Sequence, residues 1–412
     1  MKKKSLVLLL AVFSIFTFSA VKKAQSTDHN YYWMKISAKD KFERSIIANL
    51  GVAIEIVKED YVIAYGSNVE LEKIQQLGKL EASSNLALEN DFPAKDAGYH
   101  NYVELTSELQ TLATQNPDLV QILSIAKTTE GRDIWALRIT ADFSEAEQKP
   151  AMIYMGGHHA REHLSVELPL MLAQYLVNQF RAGNPRIVQL VKTRDIHIIP
   201  TVNPDGMEYD IKDASYKMWR KNRSKNSDGT FGVDLNRNYG FQWGTGGSSS
   251  DTSSETYKGP SAFSEIETIA VKNYIEAHTN ISTLLSFHSF SKLILYPWGH
   301  KYQAIETAND QAVHETMAKK MSDWNGYEPQ QSSALYIASG DTTDWSYGVH
   351  KIISFTFELD PANTGFGGGG FYPGVGVINP VFQKNLEPML YLLEYADNPY
   401  RVLNVGIGPI TR

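Results

Sequence analysis

Residues 156–163 read Gly-Gly-His-His-Ala-Arg-Glu-His and lie between an apolar run, Ala151 to Met155, and a helical pattern from Leu164 to Phe180. An apolar run, a glycine turn and a helical pattern predict a strand, a loop and a helix in succession. Open α/β sheets bind ligands at the carboxyl ends of such strands. The loop therefore offers imidazoles and a carboxylate at the edge of a predicted sheet. A polar turn without a function is the alternative.

His159 and Glu162 are the first candidate functional pair. They are three residues apart, so that one helical turn would direct both side chains at one ion. Zinc accepts imidazole nitrogen and carboxylate oxygen, and a catalytic zinc takes three protein ligands and a water. Together with His163 they also match H-x-x-E-H, in which two histidines of one helix bind zinc and the glutamate is the base. That pattern requires a helix, whereas this motif follows a strand and two glycines.

The composition is that of a folded protein with a sizeable core. The 412 residues are 42% hydrophobic and 21% charged, and the length exceeds one ordinary domain. A net charge of −7 leaves no broad basic field for nucleic acid or for an anionic membrane. The chain has no cysteine, which excludes disulfides, thiolate metal sites and a cysteine nucleophile.

The N-terminus has the layout of a secretory signal peptide. Met1 to Lys4 is basic, Leu6 to Phe18 is apolar, and small residues follow. The apolar run is short for a membrane span, although an uncleaved anchor is the alternative. Cleavage after Ala20 or Ser26 is expected, and we assign 1–26 to the signal peptide. We therefore predict a secreted, extracellular protein with no membrane association after signal removal.

Residues 27–90 form a small pattern of their own. Strand and helix periodicities alternate in it, which predicts a compact α+β unit. The predicted elements are a strand at Tyr31 to Ile36, a helix at Lys39 to Leu50, a hairpin at Val52 to Val57 and Tyr61 to Tyr65, and a helix at Asn68 to Leu77. The stretch from Leu80 to Asn90 is predicted to be a linker. A small unit ahead of a candidate hydrolase site suggests an activation pro-segment, with a permanent accessory domain as the alternative.

From Asp91 onward, predicted strands and helices alternate, which indicates a largely parallel or mixed sheet with helices on both faces. The strands are Val120 to Ala126, Ile134 to Ile139, Ala151 to Met155, Ile196 to Val202, Thr283 to Phe287, Leu293 to Tyr296 and Ile352 to Phe357. The helices are Tyr99 to Thr114, Leu164 to Phe180, Ile266 to Ala277, Gln311 to Asn325 and Phe382 to Tyr395. His288 and Glu358 directly follow two of these strands, so they should meet the 156–163 loop at one edge of the sheet.

From Asp91 to its end the chain resembles the zinc metallocarboxypeptidases of the carboxypeptidase A/B type, and most of all the secreted bacterial carboxypeptidase T branch. The resemblance lies in six motifs in the family's order. They are His159-Ala160-Arg161-Glu162, Met218-Trp219-Arg220-Lys221, Val233-Asp234-Leu235-Asn236-Arg237-Asn238, Phe287-His288-Ser289-Phe290, Ala334-Leu335-Tyr336 and Phe355-Thr356-Phe357-Glu358. The resemblance implies a mixed, mostly parallel eight-stranded sheet between helices in residues 91–412, preceded by a small α+β pro-domain.

The resemblance also implies the residues of a reaction centre with one zinc per chain. They are the zinc ligands His159, Glu162 and His288, the orienting carboxylate Asp234, the general base Glu358 and the carbonyl-polarising Arg220. A carboxylate partner of a metal-bound histidine fixes its ring orientation. A carboxylate beside zinc can take a proton from water and pass it to the leaving amine.

Five further residues are implied in substrate binding. They are Asn236 and Arg237, which clamp the terminal carboxylate, Tyr336, which closes over the substrate, and Asp341 and Thr343, which line the pocket for the last side chain. Thr343 matches neither the apolar residue of the A type nor the aspartate of the B type. Asp341 instead matches an aspartate of the T branch, which accepts both apolar and basic C-terminal residues. We therefore predict a preference for both apolar and basic C-terminal residues. Phe290 departs from the family's usual tyrosine.

The implied partners are peptides or proteins with a free C-terminus and an activating protease. Asp91-Phe92-Pro93 resembles a mature T-branch start, so maturation near Asn90 is expected. We expect a monomer. Calcium is a second candidate ion, because Tyr99 and Glu104 match part of one T-branch site, although the acidic cluster of another is thin between Asp142 and Glu147.

Three other functions stay open at this point. One is an inverted-zincin endopeptidase, which would leave His288 and Glu358 without a role. Another is a peptide-binding module that keeps the pocket without catalysis, although the retention of Arg220 and Glu358 argues against it. A third is a zinc deacylase or cell-wall peptidase on the same fold, against which Arg237 and Tyr336 favour ordinary peptide C-termini.

Overall fold

The computed structural model describes residues 31–85, 96–212, 215–361 and 370–403. The predicted signal peptide and the maturation point near Asn90 lie outside these described residues. Among the helices of the described ranges, none combines the length and the apolar character that crossing a membrane requires.

Residues 31–85, here called the N-terminal unit, form a four-stranded antiparallel sheet with two helices. The elements are β1 (Tyr31–Ser37), α1 (Lys41–Asn49), β2 (Ala53–Val57), β3 (Tyr61–Ser67), α2 (Asn68–Gln76) and β4 (Leu80–Asn85). The strand order is β2-β3-β1-β4. Side-chain caps fix where the helices begin, since Asp40 accepts from two main-chain amides of α1 and Ser67 forms a capping box with Glu70 at α2.

The linker predicted at Leu80 to Asn90 is wrong over its first half. Residues 80–85 pair with β1 as an edge strand. The segment reads Leu-Glu-Ala-Ser-Ser-Asn and lacks the β-branched and aromatic residues that mark a strand. Its strand conformation is set by pairing with the exposed edge of β1, a tertiary interaction that periodicity does not report.

The large domain contains an eight-stranded sheet between two layers of helices. Its strands are β5 (Val120–Lys127), β6 (Asp133–Ile139), β7 (Ala151–Met155), β8 (Asp195–Ile199), β9 (Ile281–Ser289), β10 (Leu293–Tyr296), β11 (Glu328–Gln331) and β12 (Ile353–Leu359). Its helices are α3 (Tyr102–Gln115), α4 (Leu164–Arg181), α5 (Pro185–Thr193), α6 (Pro204–Asp210), α7 (Ile266–Ala277), α8 (Ala308–Asn325), α9 (Thr342–His350) and α10 (Ile378–Glu394).

The sheet has the order β11-β10-β12-β9-β7-β8-β6-β5. Strands β12, β9, β7 and β8 run parallel in the centre, and β10 and β11 also pair in parallel. The remaining neighbours are antiparallel. The predicted mixed, mostly parallel eight-stranded sheet is confirmed.

The central strands are buried on both faces. In β7, Met152 and Tyr154 pack into the core beneath α4 and α10, whereas Ile153 and Met155 pack into the core on the opposite face. All five residues of β7 are buried. A strand covered on both sides has no polar face, which explains why it appears in the sequence as a continuous apolar run.

The sequence prediction missed α5, α6, α9 and β11. Helix α6 begins where a simple turn was predicted, because the Asn203 side chain accepts a hydrogen bond from the Gly206 amide and caps the first turn. Helix α9 is capped by Asp341 in the same way. Strand β11 has only four residues and pairs at one edge of the sheet, too short for a period to be visible.

Candidate metal centre and substrate cavity

Two glycines turn the chain from β7 into the loop that carries the candidate ligands. A Cβ atom at Gly156 would lie 2.0 Å from the carbonyl oxygen of Ser165. Gly157 has a φ of +61°, which side-chain-bearing residues rarely adopt. The Gly157 amide donates to Ser165 Oγ at 3.0 Å. The loop is therefore packed directly against the first turn of α4, and His159 and Glu162 are held at the end of β7.

His159, Glu162 and His288 converge as predicted. His159 Nδ1 lies 2.7 Å from Glu162 Oε1, and His288 Nδ1 lies 3.0 Å from Glu162 Oε2. The two Nδ1 atoms are 3.1 Å apart. His288 and Glu358 lie inside β9 and β12, not just past them as predicted, and they stand opposite each other in the parallel register. The strands extend further than their apolar runs because main-chain pairing continues through these polar residues.

The donor set of this cluster fits zinc. His159 Nε2 lies 3.2 Å from Asp234 Oδ1, which accepts its proton and leaves the lone pair on Nδ1. That lone pair faces a carboxylate, which has only lone pairs to offer, so a cation between them would relieve the repulsion. Two imidazoles and one carboxylate are a known ligand set of catalytic zinc. Within the described ranges, this is the one group of such side chains at metal-ligand spacing.

The electrostatics of the cluster keep its carboxylates ionised. Burial by itself would raise the pKa of Glu162, but the positive charge that His159 and His288 carry when protonated outweighs burial and holds this pKa below its usual value. Burial also opposes ionisation of Asp234, yet Arg220 and then His159 hold the pKa of Asp234 well below its usual value. Both groups therefore stay negative, as metal ligation and orientation require.

Asp234 ties three parts of the site together. One of its oxygens is shared by His159 Nε2 and the main-chain amide of Asn236, which donates at 3.0 Å. The other oxygen accepts from Arg220 Nε at 3.0 Å. Arg220 Nη1 also lies 4.0 Å from Glu162 Oε1. The structure therefore places Arg220 beside the metal cluster through the same carboxylate that orients the histidine.

The remaining predicted residues surround one cavity next to the metal cluster. Asn236, Arg237, Tyr336, Asp341, Thr343 and Glu358 all line it, together with His159, Glu162 and Arg220. Burial, and then the negative charges of Glu162 and Glu55, raise the pKa of Glu358 well above its usual value. A carboxyl group with a raised pKa beside a metal cluster suits proton transfer.

Arg237 and Asp341 are both fixed by local hydrogen bonds. Arg237 Nε donates to the carbonyl of Gly247 at 2.9 Å, and Nη1 donates to the carbonyl of Asn236 at 2.8 Å. Asp341 Oδ1 accepts from Thr343 Oγ1 at 2.7 Å and from the Asp344 amide at 2.9 Å. Burial, and then the negative charge of Asp344, raise the pKa of Asp341 to about 7.

Glu55 is the site residue that sequence reasoning missed. It belongs to β2 of the N-terminal unit, yet it lines the cavity. Its Oε1 lies 2.8 Å from Arg161 Nη2 and 3.4 Å from Arg220 Nη1. Nothing local in an alternating strand marks one glutamate as a partner of arginines more than 100 positions away, so no signal in the sequence was available.

Arg161 is fully buried beneath the N-terminal unit. Besides Glu55 it pairs with Glu255 at 2.7 Å, and its guanidinium lies 4.5 Å from the ring centre of Tyr65 and 4.7 Å from that of Phe371. Such cation–π contacts and paired carboxylates compensate the burial of the charge. Tyr65 and Glu55 come from the N-terminal unit, so this arginine is partnered across the two parts of the chain.

His163 argues against the inverted-zincin alternative. Its Nε2 lies 2.9 Å from Asp210 Oδ2, away from the metal cluster. The motif lies in the loop ahead of α4, and His163 is the residue just before that helix begins. The two histidines therefore do not share an ion from one helix, as that pattern would require.

The calcium prediction is not tested by the structure. Glu104 forms a capping box with Asn101 at the start of α3. Tyr99 donates through its hydroxyl to the carbonyl of Gly374 at 3.4 Å. Asp142 accepts from the main-chain amide of Ser144. These roles are structural ones, and calcium binding stays a prediction.

Comparison with known proteins identifies the family. Residues 105–388 match the zinc carboxypeptidase family model. A zinc carboxypeptidase of Saccharothrix mutabilis subsp. capreolus is 39% identical over 339 residues, which cover 80% of this chain and 77% of that protein. Carboxypeptidase A2 of Mus musculus is 33% identical over 309 residues, which cover 73% and 71%. This chain belongs to the zinc carboxypeptidase family.

The fold agrees with this assignment. The crystal structure of carboxypeptidase A from Helicoverpa armigera superimposes with a TM-score of 0.73 over 92% of this chain and 98% of that one, at 24% identity. The predicted zinc carboxypeptidase family and its mostly parallel eight-stranded sheet between helices are confirmed. The chain is a metallocarboxypeptidase, a hydrolase whose family implies zinc.

Proposed function

We propose that this protein is a secreted zinc carboxypeptidase, made as a latent precursor, that removes single residues from the C-termini of peptides and proteins. One observation carries the proposal. The His159, Glu162 and His288 cluster opens into the same cavity as Glu358 and a pair of residues suited to a carboxylate.

The chemistry follows from what surrounds the cluster. Zinc, when bound, supplies Lewis acidity that lowers the pKa of water and polarises a carbonyl group. Glu358 takes a proton from the attacking water and delivers it to the leaving amine. Arg220 donates hydrogen bonds to the carbonyl oxygen as negative charge develops there, and it is already held in place by Asp234.

Restriction to the chain terminus comes from Asn236 and Arg237. Arg237 uses Nε and Nη1 on main-chain carbonyls, which orients the rest of its guanidinium. A guanidinium binds a carboxylate through parallel hydrogen bonds, and a peptide amide cannot replace that charge. Because the clamp lines the same cavity as Glu358, it selects the last peptide bond of the substrate.

Removal of zinc tests the proposed function. A chelator should abolish release of the last residue from an N-blocked dipeptide by the processed enzyme (residues 91–412), and zinc should restore it. His288→Ala should bind zinc at least about tenfold more weakly, because a ligand is lost. His314→Ala is the matched control, since this buried histidine lies on α8 outside the cluster and should leave zinc affinity unchanged. Activity that survives full metal removal would refute the proposal.

Asp341 supports a preference that includes basic C-terminal residues. It lines the cavity, and its Oδ2 has no hydrogen-bond partner within the described residues. An ionised carboxylate there would attract a C-terminal Arg or Lys, whereas a neutral carboxyl group would tolerate Leu or Phe.

This preference should depend on pH. The pKa of Asp341 is raised to about 7, so the side chain is neutral below that pH and charged above it. The ratio of kcat/KM for C-terminal Arg over Leu should rise up to about tenfold between about pH 6 and about pH 8. Asp341→Asn keeps a capping side chain for α9 and should make the ratio low and independent of pH. A wild-type ratio that stays flat, or unmeasurable release of Arg and Lys, would contradict the role of Asp341.

Latency is supported by contacts of the N-terminal unit with the segment 334–337, which includes Tyr336. Arg44 donates to the carbonyls of Ala334 and Leu335, and the Tyr336 hydroxyl donates to the Ile54 carbonyl at 3.1 Å. The Ile337 amide donates to Ser45 Oγ at 2.9 Å. The tyrosine proposed to close over the substrate is therefore occupied by the N-terminal unit.

Apolar packing adds to this cover. Trp33 of β1 is fully buried and lies against Phe290 and Phe371 of the large domain, with ring centres 6.5 Å away in both cases. Together with the ion pairs of Glu55 with Arg161 and Arg220, these contacts support an inhibitory role of the N-terminal unit. An activating protease that cuts near Asn90 would then release the enzyme outside the cell. A monomer stays a prediction.

A further inference from the structure

The side-chain amide of Asn236 is held in one orientation. Its oxygen Oδ1 accepts two hydrogen bonds from Thr342, one from the main-chain amide at 3.0 Å and one from Oγ1 at 3.0 Å. Its nitrogen Nδ2 has no hydrogen-bond partner in the described part of the chain, and the residue lines the cavity. Two donors on the oxygen exclude the flipped amide, so the nitrogen is the atom presented to the cavity.

Two further buried polar side chains, His158 and Tyr239, lie behind Thr342. Thr342 Oγ1 is 3.1 Å from His158 Nε2, which is also 2.9 Å from the hydroxyl of Tyr239. His158, Tyr239 and Thr342 are all buried. The chain of contacts runs from Tyr239 and His158 through Thr342 to Asn236.

The hydrogen bonds between His158, Thr342 and Asn236 have a defined direction. Oδ1 of Asn236 only accepts, so the Thr342 hydroxyl must donate its single proton to it. Thr342 Oγ1 then accepts from His158, which places the ring proton on Nε2. The Tyr239 hydroxyl oxygen, 2.9 Å from the same nitrogen, is a second acceptor for that proton. This assignment agrees with the lack of a hydrogen-bond partner at His158 Nδ1 among the described residues, because that nitrogen is left with a lone pair.

We propose that Thr342, supported by His158 and Tyr239, is a positioning residue that presents the Asn236 amide nitrogen to the carboxylate of the substrate. The proposal rests on the clamp assigned to Asn236 under the proposed function. A freely rotating amide would place its oxygen against the carboxylate for part of the time and would repel it. A fixed amide avoids that repulsion, because its N–H donor already faces the carboxylate position before the substrate arrives.

The position of Thr342 makes this role specific. It is the first residue of α9, where a main-chain amide has no partner within its own helix. That amide is used on Asn236, while the adjacent Asp341 caps the helix through the Asp344 amide. Two adjacent residues at the start of α9 therefore have separate roles. Thr342 serves the carboxylate clamp, and Asp341 serves the pocket for the last side chain.

Thr342→Val tests the proposal because valine keeps the shape of threonine and removes only the hydroxyl. In the full-length protein processed near Asn90, KM for a peptide with a free C-terminus should rise about fivefold, while kcat changes less than about twofold. The inhibition constant of N-acetyl-phenylalanine should rise by the same factor, whereas that of its amide should not change. Calorimetry of N-acetyl-phenylalanine binding to the same protein after metal removal gives a readout independent of turnover.

Two further variants separate positioning from a structural effect. Thr342→Ser keeps the hydroxyl and should restore KM to within about twofold of wild type. Thr268→Val is the matched control, because Thr268 Oγ1 also donates to an asparagine oxygen, that of Asn238, at 2.8 Å, but outside the cavity. It should lower the melting temperature without changing KM.

The outcomes distinguish this inference from the proposed function. If wild type does not discriminate between N-acetyl-phenylalanine and its amide, the clamp itself is wrong. If wild type discriminates but Thr342→Val binds the acid as tightly as wild type, the positioning role of Thr342 is refuted. A fall in kcat with unchanged KM would refute it as well, since it would place the hydroxyl in the chemical step.

Discussion

Glu358→Gln should lower kcat of the processed enzyme by about 10³-fold or more, near the upper range for loss of a general acid–base group. Glutamine has nearly the same shape but cannot take up the proton of the attacking water. Glu358 lines the cavity and stands opposite His288 in the parallel register of β12 and β9, so its distance from the metal cluster is set by main-chain pairing. Steady-state kinetics with an N-blocked dipeptide measure the effect, and metal analysis should find zinc content unchanged.

Glu267→Gln is the control for this prediction. Glu267 is another buried glutamate, and burial raises its pKa to about 7, but it lies on α7 and does not line the cavity. Its replacement should leave kcat within about twofold of wild type. A Glu358→Gln enzyme that retains more than about a tenth of wild-type kcat would assign the proton transfer to another group.

Release of the N-terminal unit should raise kcat/KM at least about 100-fold over the intact chain, because only a small fraction of the intact chain would have its cavity open at any time. The reason is the number of site groups the unit occupies. The Glu55 carboxylate pairs with Arg161 and Arg220. The Ile54 carbonyl accepts a hydrogen bond from the Tyr336 hydroxyl. The measurement compares the intact chain with the same preparation after limited proteolysis.

Single variants of the intact chain test which contact matters most. Glu55→Gln removes the negative charge that pairs with Arg161 and Arg220. This change should raise the activity of the unprocessed chain severalfold. Glu81→Gln is the control, because Glu81 lies in the same unit, is exposed and pairs only with Lys35 among the described residues. Equal activity of the intact and the processed protein would show that the unit is a permanent accessory domain.

The sequence was sufficient to predict the centre of the sheet. Strand β7, its glycine turn and α4 form a continuous local pattern, because a strand buried on both faces must be apolar at every position. His288 and Glu358 were found for the same reason, since each closes an apolar run. Strands β4 and β11 were missed because edge pairing, rather than composition, makes them strands.

The sequence names candidate residues for the site, and their roles stay predictions, but it does not give the contacts between them. Motif resemblance supplied Asp234 and Asn236, yet nothing in the sequence shows that one Asp234 oxygen is shared by His159 and the Asn236 amide. The sequence does not indicate Thr342 or Glu55, because each acts through contacts with residues more than 100 positions away. Such contacts exist only once the chain has folded.

The most direct test of a zinc carboxypeptidase is to offer the processed enzyme one peptide with a free and with an amidated C-terminus and to follow both by mass spectrometry. We expect stepwise loss of single residues from the free form only, and no loss when a zinc chelator is present. Internal cuts in both forms would contradict this expectation, and so would the absence of any cleavage by the folded, zinc-loaded protein.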